Sequence, residues 1–315
     1  MSAPGHGRWV VALAGAVLAM ALGEPVAESG SAPLRACDLC GGAWEEIGRA
    51  ATPHGGREEA SGNGKAPLLR CRRCGSLRLD VSPAAVIAYL ERSRYNDPED
   101  IDTSRRARSP FLAWICDRFL ADLPPRATVV DFGASFGHLG ELLMARGHSV
   151  IGVEVNQRAC RVAEERLPGL QMVADLGALA PRAGTLDAIV ALDSLYYVDS
   201  PRAVLGQMAA LLRPGGRLLT RNTNGSLRAL AFRLSSRGSS FATRPLGDAC
   251  WGFSVAGFTA AVETSGFEVA TVAFLEVGKQ GGWRGLYYRL SGIIADLSRG
   301  RLAAAPGWLM VAVKR

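Results

Sequence analysis

From Ala127 onward the chain alternates short aliphatic runs with amphipathic helical stretches, and few architectures accept that order. Strands without a polar face must be covered on both sides, so the pattern predicts a parallel sheet wrapped by helices. Strands are expected at 127–132, 149–154, 170–174, 186–192 and 216–221, with helices at 136–146, 156–166 and 201–212 between them. A helix at 254–265 then precedes strands at 267–277 and 308–314. Seven strands in this order fit a doubly wound, mostly parallel α/β sheet. At 315 residues, with 48% hydrophobic and 21% charged, the chain can bury that core and one smaller module, which excludes disorder, collagen and coiled coil.

The chemistry gathers at the carboxyl ends of the strands, where open α/β sheets bind ligands. The first strand runs into Asp131-Phe132-Gly133-Ala134-Ser135-Phe136-Gly137, and a helix begins near His138. Glycines at a strand-to-helix turn let a ligand press on backbone amides, but the D-x-G-x-x-x-G spacing differs from the dinucleotide fingerprint. An acid inside the turn repels a pyrophosphate and suits a cationic amino-acid group. Glu154, at the end of the second strand, is placed to accept hydrogen bonds from ribose hydroxyls; Asp175 closes the third strand and Asp193 follows the fourth.

These motifs, in this order, resemble a class I S-adenosylmethionine-dependent methyltransferase with a Rossmann-like fold over roughly residues 108–315. The resemblance implies that Gly133 to Gly137 cradle the methionine part with Asp131 supporting the loop. It further implies that Glu154 binds the ribose, that Asp175 with Leu176 holds the adenine, and that Asp193 to Tyr197 face the sulfonium and the substrate. Leu212-Arg213-Pro214-Gly215-Gly216 resembles the turn these enzymes carry before the fifth strand. Two positions depart from the family: Ser135 stands where a glycine is usual, with strain expected at a positive φ, and Tyr197 stands where many relatives have a histidine. An oxygen or carbon acceptor needs a base, and the candidates are Tyr197, Tyr196 and His138, with Asn222 and Asn224 as substrate contacts emerging from strand five. His148, on the far edge of the sheet, is expected to be structural.

Ahead of this core stand two C-x-x-C-G knuckles, Cys37-Asp38-Leu39-Cys40-Gly41 and Cys71-Arg72-Arg73-Cys74-Gly75. Two thiolates at i and i+3 with a glycine behind them aim both sulfurs at one ion, and two such turns complete a tetrahedral Zn²⁺ site. Four sulfurs leave no place for water, so the ion is expected to be structural. The Gly-, Ser- and Pro-rich stretch Thr52 to Pro67 reads as a long loop of a zinc ribbon, with His54 in solvent. Helices follow at 83–94 and 109–121, separated by the charged turn Tyr95 to Asp100. The expected organisation is a hydrophobic leader at 1–30, the ribbon at 31–80, a helical connector at 81–125, and the catalytic domain at 126–315 with substrate-facing insertions at 222–253 and 278–306. A ribbon before such a core resembles bacterial sugar and secondary-metabolite methyltransferases.

Trp9 to Gly23 is an uncharged run too short to span a roughly 30 Å hydrocarbon layer, so no stable membrane span is expected. The reading is a cytoplasmic protein, with a cleaved signal peptide at 1–21 as the alternative. The last 95 residues carry twelve basic and five acidic side chains, the whole of the formal +7. Arginines 221, 228, 233, 237 and 244, then 284, 289, 299 and 301, suit phosphate or carboxylate and predict an anionic small-molecule or carrier-linked acceptor, such as a nucleotide-sugar or glycan intermediate. Gly285 to Leu297 reads as an amphipathic helix covering the site or a dimer contact. An RNA methyltransferase and a non-catalytic S-adenosylmethionine-binding protein are the alternatives; the near-neutral core argues against nucleic acid, and the oligomeric state has no signature.

Overall fold

The computed structural model describes residues 36–52, 64–92, 101–234, 246, 248–274, 290, 293–294, 297, 305 and 307–315. The leader at 1–30, most of the loop around His54, the turn Tyr95 to Asp100 and nearly all of the insertion at 278–306 lie outside the described residues. Residues 36–315 belong to one compact unit.

The chain enters through β1 (Trp44–Ala51), β2 (Lys65–Cys71) and β3 (Leu77–Leu79), followed by α1 (Pro83–Arg92) and α2 (Ile101–Phe119). Then come β4 (Thr128–Phe132), α3 (His138–Met144), β5 (Ser149–Val153), α4 (Gln157–Arg166), β6 (Gln171–Val173), β7 (Leu186–Leu192), α5 (Pro201–Leu211) and β8 (Leu212–Thr223). Finally, α6 (Gly225–Leu234), β9 (Trp251–Gly252), α7 (Val255–Thr264), β10 (Phe267–Ala273) and β11 (Gly307–Lys314) complete the chain. The expected seven-stranded sheet is present in the order β10-β11-β8-β7-β4-β5-β6, with β11 antiparallel to both neighbours and β8, β7, β4, β5 and β6 paired in parallel. The strand order reverses between β4 and β7, which opens a crevice at their carboxyl ends.

Three local expectations change. The second connecting helix begins at Ile101 rather than Ser109, with Pro110 inside it. Pro at a first helical position is so favourable that it imitates a start signal, although the helix runs through it. Between β6 and β7 a 3₁₀ helix, Leu176–Arg182, is present that periodicity did not reveal. The Arg213 to Gly216 turn is carried within β8, where the pairing jumps from Leu186↔Leu212 to Ala188↔Arg217.

The cysteine-bearing strands, which fit the expected ribbon, are joined to the rest of the fold. β3 pairs antiparallel with β9, Leu77 opposite Gly252 and Arg78 opposite Trp251, so the second sheet has the order β1-β2-β3-β9. Leu68, Leu77 and Leu79 share one buried cluster with Trp251, Phe253, Phe258 and Trp308. Each such side chain contributes about 1.5–3 kcal/mol when fully buried, so the two sheets are held together by the core itself. Ser254 caps α7 through the Gly257 N–H and also donates its own N–H to Ser76 Oγ at 3.0 Å.

Candidate functional site

A cavity of about 700 Å³ occupies the crevice at the reversal of strand order. Its floor is the turn after β4. Gly133 has φ 84°, and a Cβ there would lie 2.6 Å from Ser194 Cβ, so only glycine fits. Ser135 takes φ 49°, the left-handed conformation anticipated for it. Glu154 fastens this turn: one carboxylate oxygen accepts the Ser135 N–H at 2.9 Å and the other the Asn156 N–H at 2.9 Å. The acid that closes β5 therefore also shapes the loop that follows β4.

Asp131 is buried and lines the cavity without a hydrogen bond among the described residues. Desolvation, and then the Glu154 charge, push its carboxyl up to about 7, against the pull of Arg108. His138 also lines the cavity, yet both its ring nitrogens are buried and unpaired among the described residues. Burial, followed by Arg166, Arg108 and Arg105, pulls its imidazole down to about 4, so it is neutral at physiological pH. Asp175 accepts the Ala178 N–H at 3.1 Å as a cap, and both Asp175 and Leu176 line the cavity beyond β5.

On the β7 side, Asp193 has φ 58° and is ion-paired with Arg221, whose guanidinium lies 5.2 Å from the Phe111 ring centre. Burial pushes Asp193 up while Arg221 opposes. Tyr196 and Tyr197 both line the cavity with their rings 4.7 Å apart. Burial drives the Tyr196 hydroxyl far above its ordinary range, which makes it a neutral hydrogen-bonding group rather than a base. Tyr197 Oη donates to Asp248 Oδ2 at 2.8 Å.

Asn222 and Asn224 require correction as substrate contacts. Asn222 is buried within the β8–β11 pairing, with Nδ2 donating to Thr220 Oγ1 at 3.3 Å. Asn224 Oδ1 accepts the N–H groups of Ser226 and Leu227, and its Nδ2 donates to the Ala305 carbonyl. Neither residue lines the cavity.

Sequence reasoning missed two cavity residues. Arg78, from β3, is buried, stacks 4.8 Å over the Trp251 ring, and is ion-paired with Asp199. Asp248 comes from the segment that precedes β9. No local signal marks either residue, because both reach the site through the β3–β9 pairing. Among the described lining residues carboxyl groups outnumber guanidinium groups. Arginines 237, 244, 284, 289, 299 and 301 lie outside the described residues.

The four knuckle cysteines converge, with all their sulfurs within 4.8 Å of one another. Cys37 Sγ lies 3.8 Å from Cys74 Sγ, and Cys40 Sγ lies 3.5 Å from Cys71 Sγ. Tetrahedral bonds of about 2.3 Å place sulfurs about 3.8 Å apart, so the set fits one Zn²⁺. A Cβ on Gly257 would lie 2.8 Å from Cys74 Sγ, which brings the first turn of α7 against the cluster.

A family described as a methyltransferase domain matches residues 104–272, more than half of the chain. The ubiquinone biosynthesis O-methyltransferase of Xylella fastidiosa is 34% identical over 130 residues, 38% of this chain and 50% of that protein. The protein of the same name from Xanthomonas axonopodis pv. citri is 32% identical over 133 residues, 39% of this chain and 53% of that protein. The chain thus spans about half the length of the curated relatives it matches. Among solved structures, a Pyrococcus horikoshii OT3 protein aligns with a TM-score of 0.50 at 15% identity, covering 72% of this chain and 99% of that one, a likeness of fold alone.

Proposed function

Because the chain belongs to the methyltransferase-domain family, we propose that it binds S-adenosylmethionine in the crevice between β4 and β7 and methylates a hydroxyl of a small molecule. The observation that carries the reading is the double hold of Glu154 on Ser135 and Asn156, which makes one carboxylate both the anchor of the glycine turn and an acceptor at the end of β5. The names of the two curated relatives support an oxygen acceptor, and the carboxyl-rich lining disfavours a polyanion such as RNA.

The cofactor supplies a methyl group already activated on a sulfonium, so the protein's task is alignment and proton management. With the cofactor bound, Asp131 would face the amino-acid ammonium, the turn from Gly133 to Gly137 would offer its backbone, Glu154 would accept from the ribose, and Asp175 with Leu176 would border the purine. Asp193, ion-paired with Arg221, lines the same cavity. Asp248 accepts the proton of the acceptor hydroxyl, and Tyr197, hydrogen-bonded to it, holds it in place. This pair takes the part for which the sequence offered Tyr196, Tyr197 or His138. Cys37, Cys40, Cys71 and Cys74 would hold one structural Zn²⁺, and β3, which follows the second knuckle, supplies Arg78 and Leu79 to the cavity wall.

The test is incubation with S-adenosylmethionine and a panel of phenols and catechols, read by mass spectrometry. A methyl ether formed by the native chain and lost in Asp248→Asn supports the reading. Methylation at nitrogen or carbon alone contradicts it.

A further inference from the structure

The helix α1 begins four residues after β3, so it is delivered by the cysteine-bearing strands, yet it is fastened to the far side of the cavity. Asn156 makes the fastening. Its Nδ2 donates to the carbonyls of Leu90 at 3.3 Å and Glu91 at 3.0 Å, its Oδ1 caps α4 through the Ala159 N–H at 2.9 Å, and its own N–H is held by Glu154. One side chain therefore latches the last turn of α1 to the loop after β5. The helix turns Val86, Ile87 and Leu90 to the cavity, which Val155 also lines. Ile87 is 46% exposed and Val155 37%, and of the large apolar side chains exposed among the described residues these two line the cavity. An exposed isoleucine on a cavity wall leaves apolar surface unpaired, and its burial by a ligand is favourable at about 25 cal/mol per Å². Leu176, at the end of the neighbouring strand β6, lines the same cavity.

We propose that α1 is a wall of the purine subsite: Ile87 borders the cofactor's adenine ring, and the Asn156 latch holds the helix there. The connector helix that the cysteine-bearing strands deliver then contributes directly to cofactor binding. This inference rests on the S-adenosylmethionine reading above and goes beyond it by assigning a residue that none of the strand-end motifs contains.

The experiment is calorimetric titration of the full chain with S-adenosylhomocysteine and with adenosine, for the native protein, Ile87→Leu and Ile87→Asp, together with hydrogen exchange of residues 83–92 with and without S-adenosylhomocysteine. Ile87→Asp should weaken both ligands by at least ten-fold at an unchanged melting temperature, Ile87→Leu should bind as the native chain does, and ligand should slow exchange across α1. Unchanged affinity in Ile87→Asp, or no protection of α1, overturns the proposal while leaving the cofactor assignment intact. A flat titration of the native chain refutes the cofactor assignment itself, and this one with it.

Discussion

As the proposed partner of the cofactor's ammonium, Asp131 should make cofactor affinity depend on pH in a direction fixed by its burial. Desolvation pushes its carboxyl from the ordinary carboxylate range up to about 7, so the unliganded protein keeps this carboxyl protonated through mildly acidic conditions. The ammonium of S-adenosylhomocysteine pairs with the carboxylate alone, so every pH unit below 7 costs about ten-fold in affinity, or about 1.4 kcal/mol. Between pH 8 and pH 5 the dissociation constant should rise about a hundred-fold, then level off above pH 8. Calorimetry across that range measures it, and buffers of different ionisation enthalpy should reveal proton release on binding near pH 6. Asp131→Asn should bind weakly at every pH and abolish the slope. Linkage adds a second readout. Because the folded pKa is raised, the native state retains a proton that the unfolded chain has lost between about pH 4 and 7, and the unliganded protein loses stability as pH rises through that window. A flat affinity profile in the native chain, or the same slope in Asp131→Asn, would refute the reasoning.

Other consequences follow from the same geometry. Gly133→Ala forces a Cβ to 2.6 Å from Ser194 at φ 84°, and thermal denaturation should show a loss of about 2–3 kcal/mol; Ser135→Gly, at φ 49°, should instead gain up to about 1 kcal/mol. Cys71→Ser should drop zinc content from one per chain to near zero by atomic emission, with the melting temperature lower by roughly 10 °C, because the strands that bury Leu77 and Trp251 lose their clasp. Tyr197→Phe should cut turnover about ten-fold without changing S-adenosylhomocysteine affinity, since the hydroxyl bonds to Asp248 and not to the glycine turn.

Local chemistry was readable where one segment decides its own structure. β7 runs from Leu186 to Leu192 as its aliphatic pattern requires, and Glu154 and Asp175 stand at strand ends because hydrophobic runs stop there. What could not be read depends on distant segments meeting. Arg78 and Trp251 are far apart in the chain, and a three-residue strand pairing with a two-residue one carries no periodicity. Asp248 therefore looked like an ordinary loop residue. The asparagines after β8 misled for the opposite reason: a polar run at the ligand edge resembles a binding loop, although Asn222 belongs to strand pairing and Asn224 to a helix start. The arginine surplus described the whole tail, whereas Arg221 is already neutralised by Asp193.

The central claim is that Glu154 organises a cofactor site by holding Ser135 and Asn156 together. Titration of the native chain and Glu154→Ala with S-adenosylhomocysteine at pH 8 tests it most directly. One site per chain is expected, weakened between about ten-fold and more than a hundred-fold in the variant, the equivalent of about 1.5–3 kcal/mol for hydrogen bonds to a charged group. Equal affinity in the two proteins would contradict it.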